Sequence, residues 1–567
     1  MRPNPARFLS LFALLALLAW TTGARAASIT WNEPAGGRWR DAVNWSPAMV
    51  PGAGDDVRIT LDGTYAVTLD SIVTAVHALT LGAVNGEQTL VGRDAQLQVA
   101  TTFAVEANGI VDLHAFTLTA ATIDNRGGVV LGSPVSPILG CAVHAALANH
   151  GTFLKNPVST LDGAIENYGH LVLQGTTIAD STLVNHPGAN LRIEGTPTAA
   201  AVFELGDTYT NHGTLDLACA LGFGNVTLRM TNTNPGRFTL VNAIGATLHS
   251  YPAGSRSIDA QLDNRGTLMV LSPLAMARPN AAHVNSGVIA LVDANLTVGG
   301  AGASFLNRGT LSIGAGRMFT QTAGTFVNDT AGIVTGNGKV SVSTIAAAER
   351  GHIAPGDPIG RLSFIGNLTV DSLGSLDVQL GGTTPATGHD VLHVEDFLIA
   401  AGVLRVSLVP GFTPQPGDRF DIIEYGDHVG HFRHIEGLDL AGGIALRPEY
   451  GASILSLVCF EGHVAGVAPG APRNAALAFG RAPYPSPSPG PTRFSIIVPR
   501  AQNVHVTVAD VSGRIVATLH RGALASGEHG FEWSGRCGAG SPVPAGLYFI
   551  SARGAGESVT TRLLVAR

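Results

Sequence analysis

Two histidines and three carboxylates stand close together in one stretch of this sequence: His389, Asp390, His393, Glu395 and Asp396. On a β-strand, His389, His393 and Glu395 would share one face because side chains alternate between faces. Two imidazoles and one carboxylate can bind zinc. The same pattern fits a solvated outer face, and we favour that interpretation, so these three residues are metal candidates only.

A pair of adjacent carboxylates, Asp55 and Asp56, lies near the start of the chain. Together with backbone carbonyls they could bind calcium, which takes oxygen ligands. A turn or an N-terminal cap is the interpretation that we favour for these two residues. A second histidine group, His428, His431 and His434, lies beside an arginine and fits a polar loop.

Catalytic signatures are absent from the sequence. Enzymes that cleave polysaccharides need carboxylates clustered in a groove, either as acid and base or to hold calcium. Here Asp112, Asp162, Asp216 and Asp293 are scattered singly. Neither Gly-x-Ser-x-Gly nor a phosphate-binding Gly-x-x-x-x-Gly-Lys-Ser/Thr motif occurs. We therefore predict no catalytic residues and no cofactor.

The composition points to a turn-rich β protein. The chain has 71 glycines and 31 prolines in 567 residues, and only 13% of its residues are charged. About 25% is usual for soluble domains. The net charge of -7 gives no basic field that would attract nucleic acid.

A degenerate repeat fills the middle of the chain. An asparagine, a variable residue and a glycine, or a nearby equivalent, precede a short apolar alternation. Ten copies start at Asn125, Asn149, Asn167, Asn185, Asn211, Asn242, Asn264, Asn285, Asn307 and Asn328. Their successive spacings are 24, 18, 18, 26, 31, 22, 21, 22 and 21 residues.

A period near 20 residues is typical of a solenoid. Asn-x-Gly turns the chain tightly, and the alternation that follows is that of a short strand. We therefore predict an all-β protein whose residues 70–351 form a right-handed parallel β-helix. Asparagines stacked in successive coils would form a hydrogen-bonded ladder. The competing structure is a string of β-sandwiches, which would not share an Asn-x-Gly phase.

The first 26 residues are typical of a secretory signal peptide. Arg2 and Arg7 precede an apolar run, and Ala24-Arg25-Ala26 fits a cleavage site. No later stretch is apolar enough to span a membrane, so we expect an exported protein without an integral span. Export permits disulfides, yet isolated thiols are the simpler expectation for four distant cysteines, and the sequence cannot choose a pairing. These are Cys141, Cys219, Cys459 and Cys537.

Residues 27–69 contain three of the five tryptophans: Trp31, Trp39 and Trp45. Their surroundings, Gly-Gly-Arg-Trp39-Arg-Asp-Ala-Val-Asn-Trp45 followed by Val50-Pro-Gly-Ala-Gly-Asp-Asp56-Val, resemble the opening of many secreted bacterial repeat proteins. The resemblance implies that a β-helix follows. We expect these residues to cap the first coil, and a sugar-stacking platform is the alternative.

Residues 352–463 contain sequence motifs that differ from the Asn-x-Gly repeat, including His352-Ile-Ala-Pro-Gly-Asp-Pro-Ile-Gly and Gly417-Asp-Arg-Phe-Asp-Ile-Ile. They resemble the last β-helix coils of autotransporter-type passenger proteins. The resemblance implies the end of a solenoid and no enzyme activity.

A Pro-rich stretch at 464–491 is predicted to be a stiff linker. Residues 492–567 alternate in short strands, which predicts a small C-terminal Ig-like β-sandwich. This tail resembles the FlgD-type Ig-like module and the similar type A sorting domain of the type IX secretion system. The matching residues are Asp510, Gly513, Arg514, Gly527, His529, Trp533, Gly535, Gly546 and Tyr548. The resemblance implies export by secretion machinery across the outer membrane, followed by attachment to the cell surface or release.

Three functional hypotheses follow from the sequence, and the third is a passive carrier for a ligand that the sequence does not identify. The first is an exported, non-catalytic solenoid that acts as a structural or adhesive surface protein, with a glycan or another cell-surface ligand as its partner. The second is a polysaccharide-active β-helix enzyme, a lyase or a hydrolase. The second hypothesis requires at least two carboxylates that converge in one groove, with basic residues opposite.

Overall fold

The computed structural model describes residues 27–70, 73–132, 140–179, 183–197, 199–219, 224–231, 238–252, 254–342, 348–463, 477–486, 488, 490–511, 514–538, 540–554 and 557–566. The predicted signal peptide at 1–26 lies outside these residues. The described elements are β-strands and one 3-10 turn at Ala42–Asn44. Among the described residues, no helix is long and apolar enough to cross a membrane.

Two compact units divide the chain, and the first comprises residues 1–312 and 317–324. Its strands pair in parallel with strands about one repeat away in sequence, which is the pairing of a β-solenoid. Each regular coil contributes three strands. We name the three stacked faces the ladder face, the second face and the third face.

From Thr117–Asn125 onward, the ladder-face strands end at the repeated asparagine. The strands of this face are Asp56–Ile59, Ala78–Leu81, the second halves of Gln96–Val105, Thr117–Asn125 and Ala142–Asn149, then Ile165–Asn167, Leu183–Asn185, Tyr209–Asn211, Thr239–Asn242, Gln261–Asn264, Ala282–Asn285 and Ser304–Asn307. Second-face strands follow the Asn-x-Gly turn. They are Gly37–Arg38, Tyr65–Asp70, Gln88–Arg93, Gly109–His114, Gly128–Leu131, Thr152–Lys155, His170–Gln174, Asn190–Gly195, Thr214–Cys219, Thr247–Ser250, Thr267–Val270, Val288–Leu291 and Thr310–Ile313.

Third-face strands complete each coil. They are Val73–Val76, the first halves of the three long strands, Thr160–Asp162, Thr176–Ala179, Ala201–Leu205, Val226–Met230, Arg256–Asp259, Leu274–Met276, Leu296–Val298 and Met318–Gln321. Parallel pairing already begins between Ser28–Trp31 and Asp56–Ile59, and Trp45–Ser46 pairs antiparallel with the first of these strands. The cap region therefore forms the first pairings of the coil, upstream of the predicted start at residue 70.

Alternation decides which residues form the core. In Thr267–Val270 and Thr310–Ile313, Leu268, Val270, Leu311 and Ile313 are buried, and the residues between them face outward. The predicted asparagine ladder is also present. The Nδ2 atom of each asparagine from Asn125 to Asn285 donates to Oδ1 of the next one at 2.7–3.0 Å, up to Asn307.

The second unit comprises residues 313–316 and 325–567, and its first part is also built of parallel strands. These are Thr325–Asn328, Ile333–Gly336, Lys339–Val342, Ala348–Glu349, His352–Pro355, Arg361–Ile365, Leu368–Val370, Ser375–Leu380, Val391–Ala400, Val403–Leu408, Arg419–Gly430 and His434–Glu436. The antiparallel strands Asp439–Leu440, Ile444–Tyr450 and Ile454–Glu461 follow, and the last of them also pairs with Arg419–Gly430.

The C-terminal sandwich has two antiparallel sheets. Ala478–Tyr484, Thr492–Val498 and Gly527–Trp533 form one sheet, and Ile515–Leu524, Gln502–Asp510, Gly546–Gly554 and Glu557–Val565 form the other. The predicted linker at 464–491 is therefore too long, because Ala478–Tyr484 inside it is a strand. Leu477 and Phe479 pack against the sandwich core, which draws this proline-containing segment onto the edge of the sheet.

The fold class agrees with the prediction: an all-β chain with parallel solenoid strands and a C-terminal Ig-like sandwich. Cys141 and Cys459 are buried free thiols. Burial raises the pKa of both thiols, which disfavours their thiolate forms.

Candidate functional site

A cavity of about 520 Å³ opens on the outer side of the second unit, and we name it the turn cavity. Its lining includes Pro358, Ile359, Gln379, Thr387, Ser407 and Pro410. The walls come from the turns that follow three strands, His352–Pro355, Ser375–Leu380 and Val403–Leu408. Because these strands stack in parallel register, their turns lie above one another.

Alternation along these strands provides the floor of the turn cavity. Leu376, Val378 and Leu380 point into the core, so Asp377 and Gln379 point outward. In the next coil Arg405 pairs with Asp377, and Ser407 pairs with Gln379. The floor is therefore an outward patch with an amide and a hydroxyl, and the acidic–basic pair lies two residues away along the same strands.

The buried residues His389 and Asp390 support the walls. Asp390 Oδ1 accepts the Gly360 N–H at 2.9 Å, and its Oδ2 accepts the Gln379 N–H at 2.8 Å. The carboxylate thus ties the turn at Pro358 to the strand of the floor. Burial raises the pKa of Asp390 to about 7, although both hydrogen bonds act in the opposite direction.

His389 is fully buried at the end of the hairpin that carries Thr387. Its Nδ1 lies 3.1 Å from the Gly382 carbonyl oxygen, and its Nε2 lies 3.3 Å from the Asp421 carbonyl oxygen. Both ring nitrogens thus face backbone oxygens. These contacts fix the hairpin and leave His389 unavailable to a ligand in the cavity.

A polar cluster borders the turn cavity on the same outward face. Arg405 Nη1 lies 3.2 Å from Asp377 Oδ1 and 2.8 Å from Ser375 Oγ, and its Nε lies 3.2 Å from Glu436 Oε2. His352 Nδ1 is 2.8 Å from Ser375 Oγ. The single arginine is therefore neutralised by two carboxylates.

Serine, histidine and aspartate meet in this cluster, but their geometry is not that of a nucleophilic triad. Ser375 Oγ and Asp377 Oδ2 both approach the same nitrogen, Nδ1 of His352, at 2.8 and 3.3 Å. A triad needs the carboxylate on one ring nitrogen and the hydroxyl on the other. The set therefore provides hydrogen-bonding groups and not an activated nucleophile.

The zinc candidates do not assemble as one ligand set. His389 is buried in the hairpin before strand Val391–Ala400 begins, so it does not share a strand face with His393 as predicted. His393 Nδ1 lies 3.0 Å from Glu424 Oε2, which also pairs with Arg361, while Glu395 is exposed. Among the described residues, no group of three or more His, Cys, Asp or Glu is placed to hold a metal ion.

Asp55 and Asp56 have other partners. Asp55 Oδ2 accepts the Gly52 N–H at 2.8 Å and closes a turn, and Asp56 Oδ1 lies 2.8 Å from His77 Nδ1. These contacts explain both carboxylates without a calcium ion.

The tryptophans of the cap are buried. Trp31, Trp39 and Trp45 are at most 2% exposed, and their rings meet edge to face at centroid distances of 4.9 Å. This packing fits a cap and leaves no open indole face for a sugar, so the alternative of a sugar-stacking platform at these residues is wrong.

A row of rings follows the Asn-x-Gly turns of the first unit. His150, Tyr168 and His186 stack with centroids 4.6 and 3.9 Å apart and planes within 7° of parallel. Both faces of the Tyr168 ring are covered by the two histidine rings, so the row presents the edges of its rings outward. The stack stabilises neighbouring coils and is not an aromatic platform for a ligand.

A second polar cluster lies on the second face of the first unit. Asp216 Oδ2 accepts a hydrogen bond from Asn190 Nδ2 at 2.7 Å, and Asp216 Oδ1 lies 2.8 Å from His249 Nδ1. In the neighbouring coil Arg192 pairs with Glu194 at 2.8 Å. Asp216 is thus not the isolated carboxylate that the sequence indicates, because the register places Arg192 directly beside it.

Two members of the second histidine group, His428 and His431, pack on Tyr450, with ring centroids 5.7 and 4.4 Å away. Burial lowers the pKa of both imidazoles. His434 lies apart from this packing and faces Glu436 at 3.9 Å.

The motif residues of the tail hold the sandwich together. Trp533 is buried and donates from Nε1 to the Arg536 carbonyl at 2.9 Å, and Tyr548 donates from Oη to the Pro544 carbonyl at 2.8 Å. Asp510 accepts both the N–H and the Nε–H of Arg514 at 3.1 Å, which closes a turn. Gly513 lies outside the described residues.

The remaining motif positions are also structural. Gly527 and Gly535 adopt positive φ angles of +134° and +72°, which favour glycine. Gly546 begins strand Gly546–Gly554. His529 Nε2 lies 2.8 Å from the Ala525 carbonyl oxygen.

Four residues of this region are not predicted from the sequence: Gln379, Ser407, Asp377 and Arg405. The sequence pattern that could have indicated them lies in Leu376-Asp-Val-Gln-Leu380 and Leu404-Arg-Val-Ser-Leu408. In both segments apolar and polar residues alternate, and the first polar position holds an acid in one segment and a base in the other. Only the register between these strands, 28 residues apart at Asp377 and Arg405, shows that the charges meet.

Comparison with known proteins finds the FlgD Ig-like domain family at residues 490–558. No curated protein matches the chain. Among solved structures, the chain is similar to dimeric latent PorU from Porphyromonas gingivalis, with 18% identity over 22% of this chain and 12% of that chain, and a TM-score of 0.16. It is also similar to PorZ, a surface component of the type-IX secretion system of the same organism, with 19% identity over 24% of this chain and 16% of that chain, and a TM-score of 0.13. The matched part of this chain thus spans less than a fifth of either structure.

Proposed function

We propose that this protein is an exported, non-catalytic β-solenoid that serves as a structural or adhesive component outside the cell, with its C-terminal module acting in secretion and anchoring. The observation that carries the proposal is an Ig-like sandwich, matched by the FlgD Ig-like family, attached to a chain of parallel solenoid coils. A solenoid offers long outward faces, which suit contact with an extended partner.

The partners follow from the same arrangement. The C-terminal module is the part that secretion machinery would engage, and the leader predicted at 1–26 would bring the chain to that machinery. The ligand of the solenoid would be a glycan or another cell-surface molecule. The low charge and the internally satisfied asparagine ladder support a passive scaffold.

Display on intact cells tests this function. In the producing organism, the full chain is compared with a chain ending at residue 463, and protease is added outside the cells. We expect the full chain to be degraded by external protease and the shortened chain to be protected. A point variant with the exposed Val511 changed to Ala is the matched control and should behave as the full chain.

Two results would contradict the proposal. Protection of the full chain in intact cells refutes export to the surface or beyond. Equal external degradation of the shortened and full chains refutes the sorting role of the module.

A second candidate, a polysaccharide-active enzyme, is favoured by one observation. Glu194 and Asp216 lie on adjacent strands with Arg192 and His249 beside them, which comes near the requirement of two carboxylates with basic neighbours. In this function Asp216 would orient His249, whose Nε2 would act as the base.

A panel of polysaccharides decides between the two functions. If the enzyme exists, new reducing ends or unsaturated products form, and His249→Ala abolishes them. His144→Ala is the control, because His144 forms a comparable exposed pair with Asp162 at 2.9 Å. We expect no product with the wild type.

A further inference from the structure

We propose that the turn cavity binds a neutral saccharide, with one sugar ring between the proline-bearing turns and its hydroxyls on Gln379 and Ser407. This proposal rests on the adhesive function proposed above and names its ligand class. It concerns binding by the purified protein, so it can fail while surface display holds.

The cavity has the size and lining of a small-ligand site. Its volume of about 520 Å³ lies inside the range of about 300–1,000 Å³ usual for such sites. Pro358, Ile359 and Pro410 provide apolar walls, and the polar groups converge on the floor. A sugar ring has this same division, with C–H groups on its faces and hydroxyls around its edge.

The hydrogen-bonding groups suit hydroxyls. The Gln379 amide provides donors and an acceptor, and the Ser407 and Thr387 hydroxyls each donate and accept. Each hydroxyl of a sugar also donates and accepts, so donors and acceptors lying side by side satisfy it. Asp377 and Arg405, two residues along the same strands, extend this pattern with an acceptor next to a donor.

The charge balance beside the cavity disfavours an anionic ligand. Arg405 is paired with both Asp377 and Glu436, so an anionic ligand would meet two carboxylates beside the one arginine. A like charge brought close to such groups is unfavourable, which is how a site rejects ions.

The site is held rigid before a ligand arrives. Asp390 joins the Pro358 turn to the floor strand, and His389 fixes the Thr387 hairpin through two carbonyl oxygens. A Cβ added at Gly381 would lie 3.1 Å from both Ile359 and Val409, so glycine lets the walls approach there. A pre-formed site avoids the ordering cost of binding.

Ligand-observed NMR on the purified full chain tests the proposal. The probes are the methyl glycosides of glucose, galactose and mannose, with glucuronate and glucosamine as charged counterparts. We expect at least one neutral glycoside to bind, and the charged probes to bind more weakly. The exposed residues Gln379 and Ser407 are changed to alanine singly, and each loss should weaken binding about tenfold.

Thr369→Ala is the matched control, because Thr369 lies outward on a neighbouring sheet of the same unit and should leave binding unchanged. Equal melting temperatures of all variants would show that the fold is intact. The proposal is overturned if no neutral glycoside binds, if binding survives unchanged in Gln379→Ala and Ser407→Ala, or if a charged probe binds more tightly than its neutral counterpart.

Discussion

At the residue scale, the asparagine ladder combines burial with directed hydrogen bonds. Every amide from Asn125 to Asn285 donates toward the C-terminus, so the bonds share one direction. Asn125 Oδ1 is left without a partner among the described residues, because the preceding coil has Val105 at that register. The ladder thus satisfies buried amides through the next coil along the chain.

Asn285→Ala tests the strength of one rung. Asn285 donates to Asn307 Oδ1 at 2.8 Å and to the Thr310 carbonyl at 3.0 Å, and it accepts from Asn264 at 2.8 Å. Its loss removes these bonds in a buried site, so we expect a loss of about 3 kcal/mol in unfolding free energy. Ser286→Ala changes the next, exposed residue of the same turn and should cost less than about 0.5 kcal/mol.

Urea denaturation of the full chain measures both values. A cost for Asn285→Ala no larger than that for Ser286→Ala would show that the ladder contributes nothing to stability.

The buried imidazole of His283 makes the first unit sensitive to acid. Its Nδ1 accepts the Leu262 N–H at 3.1 Å, and burial lowers its pKa from 6.5 to about 4. Between these pH values the unfolded chain binds a proton that the folded chain does not, so stability falls as the pH falls from 6.5 toward 4. We expect this group to remove up to about 3 kcal/mol over that interval.

His283→Gln keeps an acceptor for Leu262 and removes the titration. The difference in unfolding free energy between the wild type and this variant, measured at pH 7 and pH 4.5, should therefore depend on pH. A difference that stays constant across this range would contradict a depressed His283 pKa.

At the element scale, the Trp cap begins the stack of coils. Trp39 is fully buried against Trp45, and its backbone N–H bonds the Thr68 carbonyl at 2.9 Å. A first coil without such a cover would expose apolar residues such as Ile29 and Val57 to water. The cap therefore replaces the neighbour that inner coils have on both sides.

Trp39→Ala should destabilise the first coils by about 3–5 kcal/mol, the usual cost of a buried Trp truncation. Hydrogen exchange of strands Ser28–Trp31 and Asp56–Ile59 should rise, and exchange of the C-terminal sandwich should not. Val43→Ala is the control from the same segment, because Val43 is 79% exposed. Unchanged exchange in Trp39→Ala would refute the capping role.

Elements also explain what the sequence could and could not predict. The regular spacing of the Asn-x-Gly turns predicts the coils, because each turn is followed by an alternating strand at the same distance. The strand Ala478–Tyr484 escapes prediction because its Pro and Gly content resembles a linker, while pairing with Thr492–Val498 fixes it in place. The turn cavity escapes prediction because Pro358, Gln379 and Ser407 meet only through register.

At the scale of the whole molecule, composition, coils and C-terminal module support one account. Many of the described glycines serve tight turns, such as those at Gly245 and Gly316, with positive φ angles of +81° and +72°. Several charges pair between neighbouring coils, as in Asp377–Arg405 and Arg405–Glu436. We propose that this scaffold works outside the cell.

Fractionation of the producing cells, with mass measurement of both termini of the protein recovered, tests that claim most directly. The account predicts a chain beginning near residue 27 in the outer-membrane or extracellular fraction, with the state of its C-terminal module read from the same spectrum. A chain that still begins at Met1 and remains in the cytoplasmic fraction would contradict it.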